Sequence, residues 1–139
     1  IAIVPFNYGG PRKTRLMGVM ADDARAALAE QLARHVTGVL ASTERIAAVH
    51  LLAPSDPQFA DTSWISDHGR GLNGELVEAW RHAEQGAAML IIHADLPLLA
   101  VDDVEALLNA AAERGAAIAP DAALQGTNAL AVWAGDPFV

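Results

Sequence analysis

Short apolar runs alternate with segments of helical periodicity along this 139-residue chain, and the alternation is what most constrains its fold. Strands are predicted at residues 1–6, 46–52, 62–66, 87–92, 116–119 and 128–133, and helices at 24–40, 72–84 and 102–114. In the first helix the apolar residues Leu28, Leu32, Val36 and Val39 recur at helical spacing. Strands alternating with helices predict a mostly parallel sheet that is covered on both faces.

One apolar run, residues 89–92, ends abruptly before Asp95 and Pro97. Pro97 cannot donate to a sheet ladder, so the strand stops and delivers Asp95 to its carboxyl end. Ligands of open α/β sheets bind at the carboxyl ends of strands, which favours a metal or a phosphate-bearing substrate at Asp95. The alternative is that Asp95 caps the next helix, a role for which Asp102 or Asp103 is better placed.

Composition narrows the class of protein. Hydrophobic residues make up 53% of the chain, which is enough for a packed core and too many for a disordered protein. No apolar stretch approaches the ~18 residues that span a bilayer, and a strand-like run stands where a signal peptide would be, so we expect a cytoplasmic protein without membrane contact. The absence of cysteine excludes disulfides and thiolate metal sites. A net charge of −8 argues against nucleic-acid binding.

The loop after the first strand carries a compact cationic cluster. Three of the nine basic residues fall there within four positions. Glycines let backbone amides approach a ligand, and Lys and Arg neutralise phosphates. The candidate ligand-binding residues of this loop are Asn7, Gly9, Gly10, Arg12, Lys13 and Arg15. Their spacing matches neither a P-loop nor the dinucleotide fingerprint, and a solvated surface loop is the alternative.

Two polar turns are further candidates. Gly71 and Asn73 stand where a glycine turn runs into a helix, a position that suits an anion, a carbonyl group or a base edge. Thr127 and Asn128 enter the last strand with a hydroxyl and an amide that suit a carboxylate or a phosphate. An ordinary helix cap and an ordinary turn are the respective alternatives. The five histidines have no metal-ligand spacing.

Taken in order, several motifs resemble those of one family. They are Val4-Pro5 with Lys13-Thr14-Arg15-Leu16, Gly71-Leu72-Asn73, Ala94-Asp95-Leu96-Pro97, Ala119-Pro120-Asp121 and Gly126-Thr127-Asn128-Ala129-Leu130. The set resembles the 2-phospho-L-lactate guanylyltransferase family, which belongs to the nucleotidyltransferases of the nucleotide-diphospho-sugar transferase fold, alongside the molybdopterin guanylyltransferases. The resemblance covers nearly the whole chain and implies a single Rossmann-like domain with three α/β/α layers and a mostly parallel sheet.

The resemblance also implies an activity. GMP would pass from GTP to 2-phospho-L-lactate, phosphoenolpyruvate or 3-phospho-D-glycerate, with release of pyrophosphate, in the biosynthesis of coenzyme F(420). The resemblance further implies a role for each candidate residue. The first loop would bind the GTP phosphates through Lys13 and Arg15, and Gly71 and Asn73 would help bind the nucleoside. Asp95 would hold Mg²⁺, and Thr127, with Asn128 beside it, would contact the acceptor.

The chain departs from the family pattern at two places. Asn7 stands where members usually have a lysine, and Arg12, at a position usually taken by a small residue, is expected to replace that cation. Members also continue beyond position 139 with an acceptor loop and a further acidic segment. We therefore expect residues 1–139 to form one nucleotidyltransferase domain that lacks its C-terminal part.

Two other functions stay open. One is another nucleotidyltransferase of the same fold, with CTP as donor or with a molybdopterin or sugar-phosphate acceptor. The other is a non-catalytic remnant that binds nucleotide without releasing pyrophosphate. The last strand, taken as an exposed sheet edge, and the residues Trp64, Trp80 and Trp133 would permit a homodimer.

Overall fold

The computed structural model describes residues 1–6, 21–82 and 88–133 of the chain. The elements in chain order are β1 (Ala2–Pro5), α1 (Asp22–Ala41), β2 (Val49–Ala53), β3 (Ser63–Ser66), α2 (Gly71–His82), β4 (Ala88–Ile92), α3 (Val101–Arg114), β5 (Ala116–Pro120) and β6 (Thr127–Trp133). They match the predicted order of strands and helices.

The strands form one sheet in the order β3-β2-β1-β4-β6-β5. β1 pairs in parallel with β2 and with β4, and β2 pairs in parallel with β3, whereas β6 runs antiparallel to both of its neighbours. The predicted mostly parallel α/β sheet is therefore confirmed. The chain leaves β3 on one side of β1 and returns as β4 on the other side, and open α/β sheets bind ligands at such a switch point.

Helices pack on both faces of the sheet. The larger apolar cluster joins α1 and α3 to one face through residues such as Val36, Val104 and Leu90. The smaller cluster joins α2 to the opposite face, where Leu76 and Trp80 pack against strand residues. The three layers follow from these two clusters, because each helix has one apolar stripe to bury.

The buried stripe of α1 differs from the predicted one. Its fully packed residues are Ala29, Ala33, Val36 and Leu40, whereas Leu28, Leu32 and Val39 are half-buried. The prediction followed the largest apolar side chains. The helix instead turns Ala29 and Ala33 to the sheet, together with Val36, which was predicted, and Leu40. The two small side chains let the helix approach the strands closely.

Two strand predictions need correction. β2 begins at Val49 and not at residue 46, because the backbone N–H of Ile46 donates to the carbonyl of Thr43 in a turn that follows α1. β6 is not an exposed edge, because it lies between β4 and β5. Its apolar residues serve both faces of the sheet, Ala131 on one and Val132 on the other, as is typical of an interior strand. The strand on which the expected homodimer depended is thus already paired.

In the part of the chain that the structure describes, we find no helix with the length and apolar character needed to cross a membrane.

We expect the replacement of Leu90 by Ala to lower the free energy of unfolding by about 2–5 kcal/mol. Leu90 lies in the central strand β4 and is 1% exposed, so the change leaves a cavity in the larger cluster. Urea denaturation measures the effect. Leu98→Ala is the matched control, since Leu98 is 91% exposed. Equal losses in the two variants would contradict this description of the core.

Candidate functional site

The topology brings six strand termini to one edge of the sheet. The strands β1, β2, β3, β4 and β5 all end at this edge, and β6, which is antiparallel to β4 and β5, begins there. Three candidate residues lie in the described part of the chain. Asp95 follows β4, Asn73 lies in the helix that follows β3, and Thr127 begins β6. They therefore share the carboxyl edge, which is where α/β sheets bind ligands.

The candidates of the first loop lie outside the described residues. They are Asn7, Gly9, Gly10, Arg12, Lys13 and Arg15. The strand before them, β1, ends at Pro5 and lies beside β4 in the sheet. Their assignment to the nucleotide phosphates stays a prediction from the sequence.

Asp95 is exposed and lies three residues beyond the end of β4. The ladder continues one residue past β4, since the backbone N–H of His93 donates to the carbonyl of Asn128 at 3.0 Å. Asp95 thus departs from the sheet directly beside the start of β6. No cluster of three or more acidic or histidine side chains suited to a metal occurs among the described residues. A magnesium ion here would need substrate phosphates to complete its shell, which is a common arrangement for this ion.

Asp103 performs the capping role that was the alternative for Asp95. Its carboxylate accepts a hydrogen bond of 2.9 Å from the backbone N–H of Ala100, the residue before α3. Asp102 and Asp103 also place negative charge in the first turn of that helix, where the helix dipole favours it. Asp102 and Asp103 therefore stabilise the start of α3.

A buried carboxylate holds the loop between β3 and α2. Glu75 is 2% exposed, and its Oε1 atom accepts hydrogen bonds from the backbone N–H groups of His68, at 2.9 Å, and Arg70, at 3.2 Å. The guanidinium of Arg70 donates to both carboxylate oxygens, at 3.2 and 3.0 Å. One side chain of α2 thus fixes both backbone and side chain of the loop that leads to Gly71.

The ion pair also changes the acidity of both partners. The hydrogen bond from Arg70 is the main reason why the pKa of Glu75 lies below its ordinary value. The same hydrogen bond raises the pKa of Arg70. Both groups therefore stay charged at neutral pH, and the loop keeps its anchor.

A second carboxylate organises the turn between β5 and β6. Asp121 accepts a hydrogen bond of 3.0 Å from the backbone N–H of Gln125, and its own N–H donates to the carbonyl of Gly126. Backbone N–H donors, first those of Gln125 and Gly126, lower the pKa of Asp121. A Cβ atom at Gly126 would lie 2.9 Å from the Asp121 carboxylate, so this close approach requires glycine. Asp121 shapes the turn that delivers Thr127.

A β-bulge separates the two predicted acceptor residues. Pro120 pairs with Thr127 but Ala119 pairs with Ala129, so Asn128 is an extra residue in β6. Thr127 lines a cavity of about 220 Å³ together with His93. Asn128 lines a different cavity, of about 440 Å³ and mostly apolar, beside α3. The structure thus brings Thr127 and His93 together at one cavity, whereas Asn128 lines the other.

The sequence reasoning missed the roles of Glu75, Arg70 and Asp121. For Glu75 a signal was present, because position 75 falls on the same side of α2 as Leu76 and Ala79, which pack against the smaller cluster. An acid at such a position needs partners, since an unpaired buried charge is costly. Asp121 stands in the motif Ala119-Pro120-Asp121, but that motif specifies neither its role in the turn nor the bulge, which depend on backbone geometry.

We expect Asp121→Asn to lower the free energy of unfolding at pH 7. The native pKa of Asp121 is below the ordinary value of about 3.9. Its ionised form therefore stabilises the protein above that value, and the contribution is lost as the pH falls through the lowered native pKa. Urea denaturation between pH 7 and 3 should show the difference between wild type and variant shrinking below about pH 4. A difference that stays constant with pH would contradict this role.

Comparison with known proteins agrees with the resemblance. The family model described as guanylyl transferase CofC like matches residues 1–136. Phosphoenolpyruvate guanylyltransferase of Chloroflexus aggregans is 36% identical over 91% of this chain and 68% of its own length. The enzyme of the same name from Sphaerobacter thermophilus is 36% identical over 95% of this chain and 67% of its own length. The chain thus spans about two thirds of these relatives.

The fold has a counterpart among solved structures. A protein of Desulfovibrio desulfuricans G20, assigned as a nucleotide-diphospho-sugar transferase, superposes with a TM-score of 0.73 at 21% identity. The match covers 95% of this chain and 62% of that protein. The fold is therefore of the nucleotide-diphospho-sugar transferase type, and by the family model and the relatives above the chain belongs to the CofC-like family of guanylyltransferases.

Proposed function

We propose that this chain forms the nucleotidyltransferase domain of an enzyme that transfers GMP from GTP to a small phosphorylated acid and releases pyrophosphate. The acceptor would be phosphoenolpyruvate, 2-phospho-L-lactate or 3-phospho-D-glycerate, and the product a precursor of coenzyme F(420). The observation that carries the proposal is the 36% identity, over 91% of the chain, to a relative named phosphoenolpyruvate guanylyltransferase.

The geometry of the carboxyl edge supports this proposal. Transfer of a nucleotidyl group needs a place for the nucleoside, a place for the phosphates and a place for the acceptor within reach of one another. Gly71 and Asn73 begin α2, Asp95 follows β4, and Thr127 begins β6, all at one edge. We assign them to the nucleoside, the metal-bound phosphates and the acceptor.

An acceptor phosphate oxygen would attack the α-phosphorus of GTP in line, with pyrophosphate as the leaving group. Such chemistry depends on positioning and charge neutralisation more than on proton transfer. Lys13 and Arg15, from the sequence, would neutralise the charge that develops on the pyrophosphate. Thr127 would donate a hydrogen bond from its hydroxyl to the acceptor. His93 lines the same 220 Å³ cavity.

Asp95 fits a magnesium ion. It offers an exposed carboxylate at the sheet edge beside the end of β1, and Mg²⁺ in nucleotide sites is commonly held by one or two carboxylates together with substrate phosphates. When bound, the ion would polarise the α-phosphate and orient both substrates. The charge of −8 on the protein makes a local cation valuable for binding two anionic substrates.

Pyrophosphate release tests the proposal directly. The full chain, with GTP and Mg²⁺, is given each of the three phospho-acids in turn, and ATP, CTP and UTP replace GTP in parallel reactions. We expect release with GTP and one of the acceptors. Release with CTP instead would indicate a different nucleotidyltransferase of the same fold. Tight GTP binding with no release from any acceptor would favour the non-catalytic alternative.

We expect Asp95→Asn to lower kcat/KM at least about 100-fold, because the variant loses the charge that would hold Mg²⁺ against the phosphates. Asp102→Asn is the matched control, since Asp102 is an exposed carboxylate seven residues further along. Steady-state pyrophosphate release over a range of Mg²⁺ concentrations measures both variants. Unchanged turnover and Mg²⁺ dependence in Asp95→Asn would remove Asp95 from the mechanism.

A further inference from the structure

Glu75 is a buried charged residue of α2. It is 2% exposed although it is ionised, and its carboxylate accepts four hydrogen bonds from His68 and Arg70. An apolar side chain would fill this position on α2 without the cost of burying a charge. The carboxylate therefore does something for the protein that packing alone does not require.

Among the described residues, the donors to Glu75 come from the short loop between β3 and α2. The loop is anchored at its start as well, since the N–H of Asp67 donates to the carbonyl of Ala53, and the Asp67 carboxylate accepts from the N–H of Gly69 at 2.8 Å. Gly69 and Gly71 have φ angles of 79° and 78°, a region that other residues rarely adopt. The loop thus has one defined path, and its second anchor is Glu75.

Gly74 makes room for this path. A Cβ atom at position 74 would lie 2.8 Å from the Cβ atom of Arg70, which is closer than two non-bonded carbon atoms approach each other. Arg70 is folded back over the first turn of α2, with its side chain 47% exposed and its guanidinium paired with the Glu75 carboxylate. The helix start, the loop and the buried acid therefore form one fitted unit beside Gly71 and Asn73.

We propose that Glu75 is a positioning residue for nucleotide recognition: it holds the loop 67–70 so that Gly71 and Asn73 are presented to the nucleoside. This inference rests on the proposed function, which assigns the start of α2 to the nucleoside. Glu75 acts through the loop and does not itself touch the nucleotide. Replacing the carboxylate by an amide removes the charge-assisted bonds while keeping the shape of the side chain.

The test measures the dissociation constant of GTP with Mg²⁺ by calorimetry, so that it does not depend on turnover. In the full chain we expect Glu75→Gln to weaken GTP binding about tenfold, as is typical for the loss of charge-assisted hydrogen bonds. Glu105→Gln is the matched control. Glu105 forms an ion pair with Arg45 at 3.1 Å and belongs to α3, on the opposite face of the sheet from α2.

A second variant separates positioning from stability. Gly74→Ala keeps the carboxylate and favours the helix, because alanine is the better helix former. A purely structural role for this region predicts unchanged GTP binding in Gly74→Ala, whereas the proposal predicts weakening because the loop must shift away from the new methyl group. The acceptor KM, where turnover is observed, should stay within about twofold in both variants, since three strands separate β3, which the loop follows, from β6, which Thr127 begins.

The outcomes distinguish the two proposals. Weaker GTP binding in Glu75→Gln and Gly74→Ala, with Glu105→Gln unchanged, supports the positioning role whether or not pyrophosphate is released. Wild-type GTP affinity in Gly74→Ala overturns it, and so does wild-type affinity in a folded Glu75→Gln. If the wild type releases no pyrophosphate with any acceptor, the proposed function is contradicted. The GTP dissociation constants of the wild type and the variants then still decide whether Glu75 positions the loop.

Discussion

The parallel pairing of β1 with β4 is the interaction on which the rest of the structure depends. Ala2 lies opposite Leu90 and Ile3 opposite Ile91, and the N–H of Leu90 donates to the carbonyl of Ile1 at 2.9 Å. This contact joins the half of the sheet built from β2 and β3 to the half built from β6 and β5. It sets the end of β1 beside the segment that carries Asp95. If the two halves joined elsewhere, the candidate residues would not share one edge.

Buried or hydrogen-bonded carboxylates shape the loops at that edge. Glu75 anchors the loop before α2, Asp121 anchors the turn before β6, and Asp103 stabilises the start of α3. Each accepts backbone N–H groups that the irregular chain would otherwise leave without a protein partner. The acids of this chain thus serve two purposes. Some build the edge, and one of them, Asp95, is proposed to act at it.

The sequence was sufficient for the order of elements and for placing Asp95 after the carboxyl end of β4. Apolar periodicity gave the strands and helices, and Pro97 marked where β4 had to stop before Asp95. It was insufficient where tertiary contacts override local pattern. The alanine stripe of α1 and the interior place of β6 follow from close packing against strands that are distant in sequence. The bulge at Asn128 depends on the pairing of Thr127 with Pro120, which periodicity does not encode.

We propose that a guanine nucleotide binds at the carboxyl edge, between the start of α2 and the segment after β4. Amide hydrogen exchange of the full chain, with and without GTP and Mg²⁺, tests it most directly. We expect amide exchange to slow in residues 67–73 and 93–96 when the nucleotide is added. We expect no change in residues 43–48 and 115–116, at the opposite end of the sheet. Slowing confined to the opposite end, or none at residues 67–73 and 93–96 while GTP is bound, would contradict it.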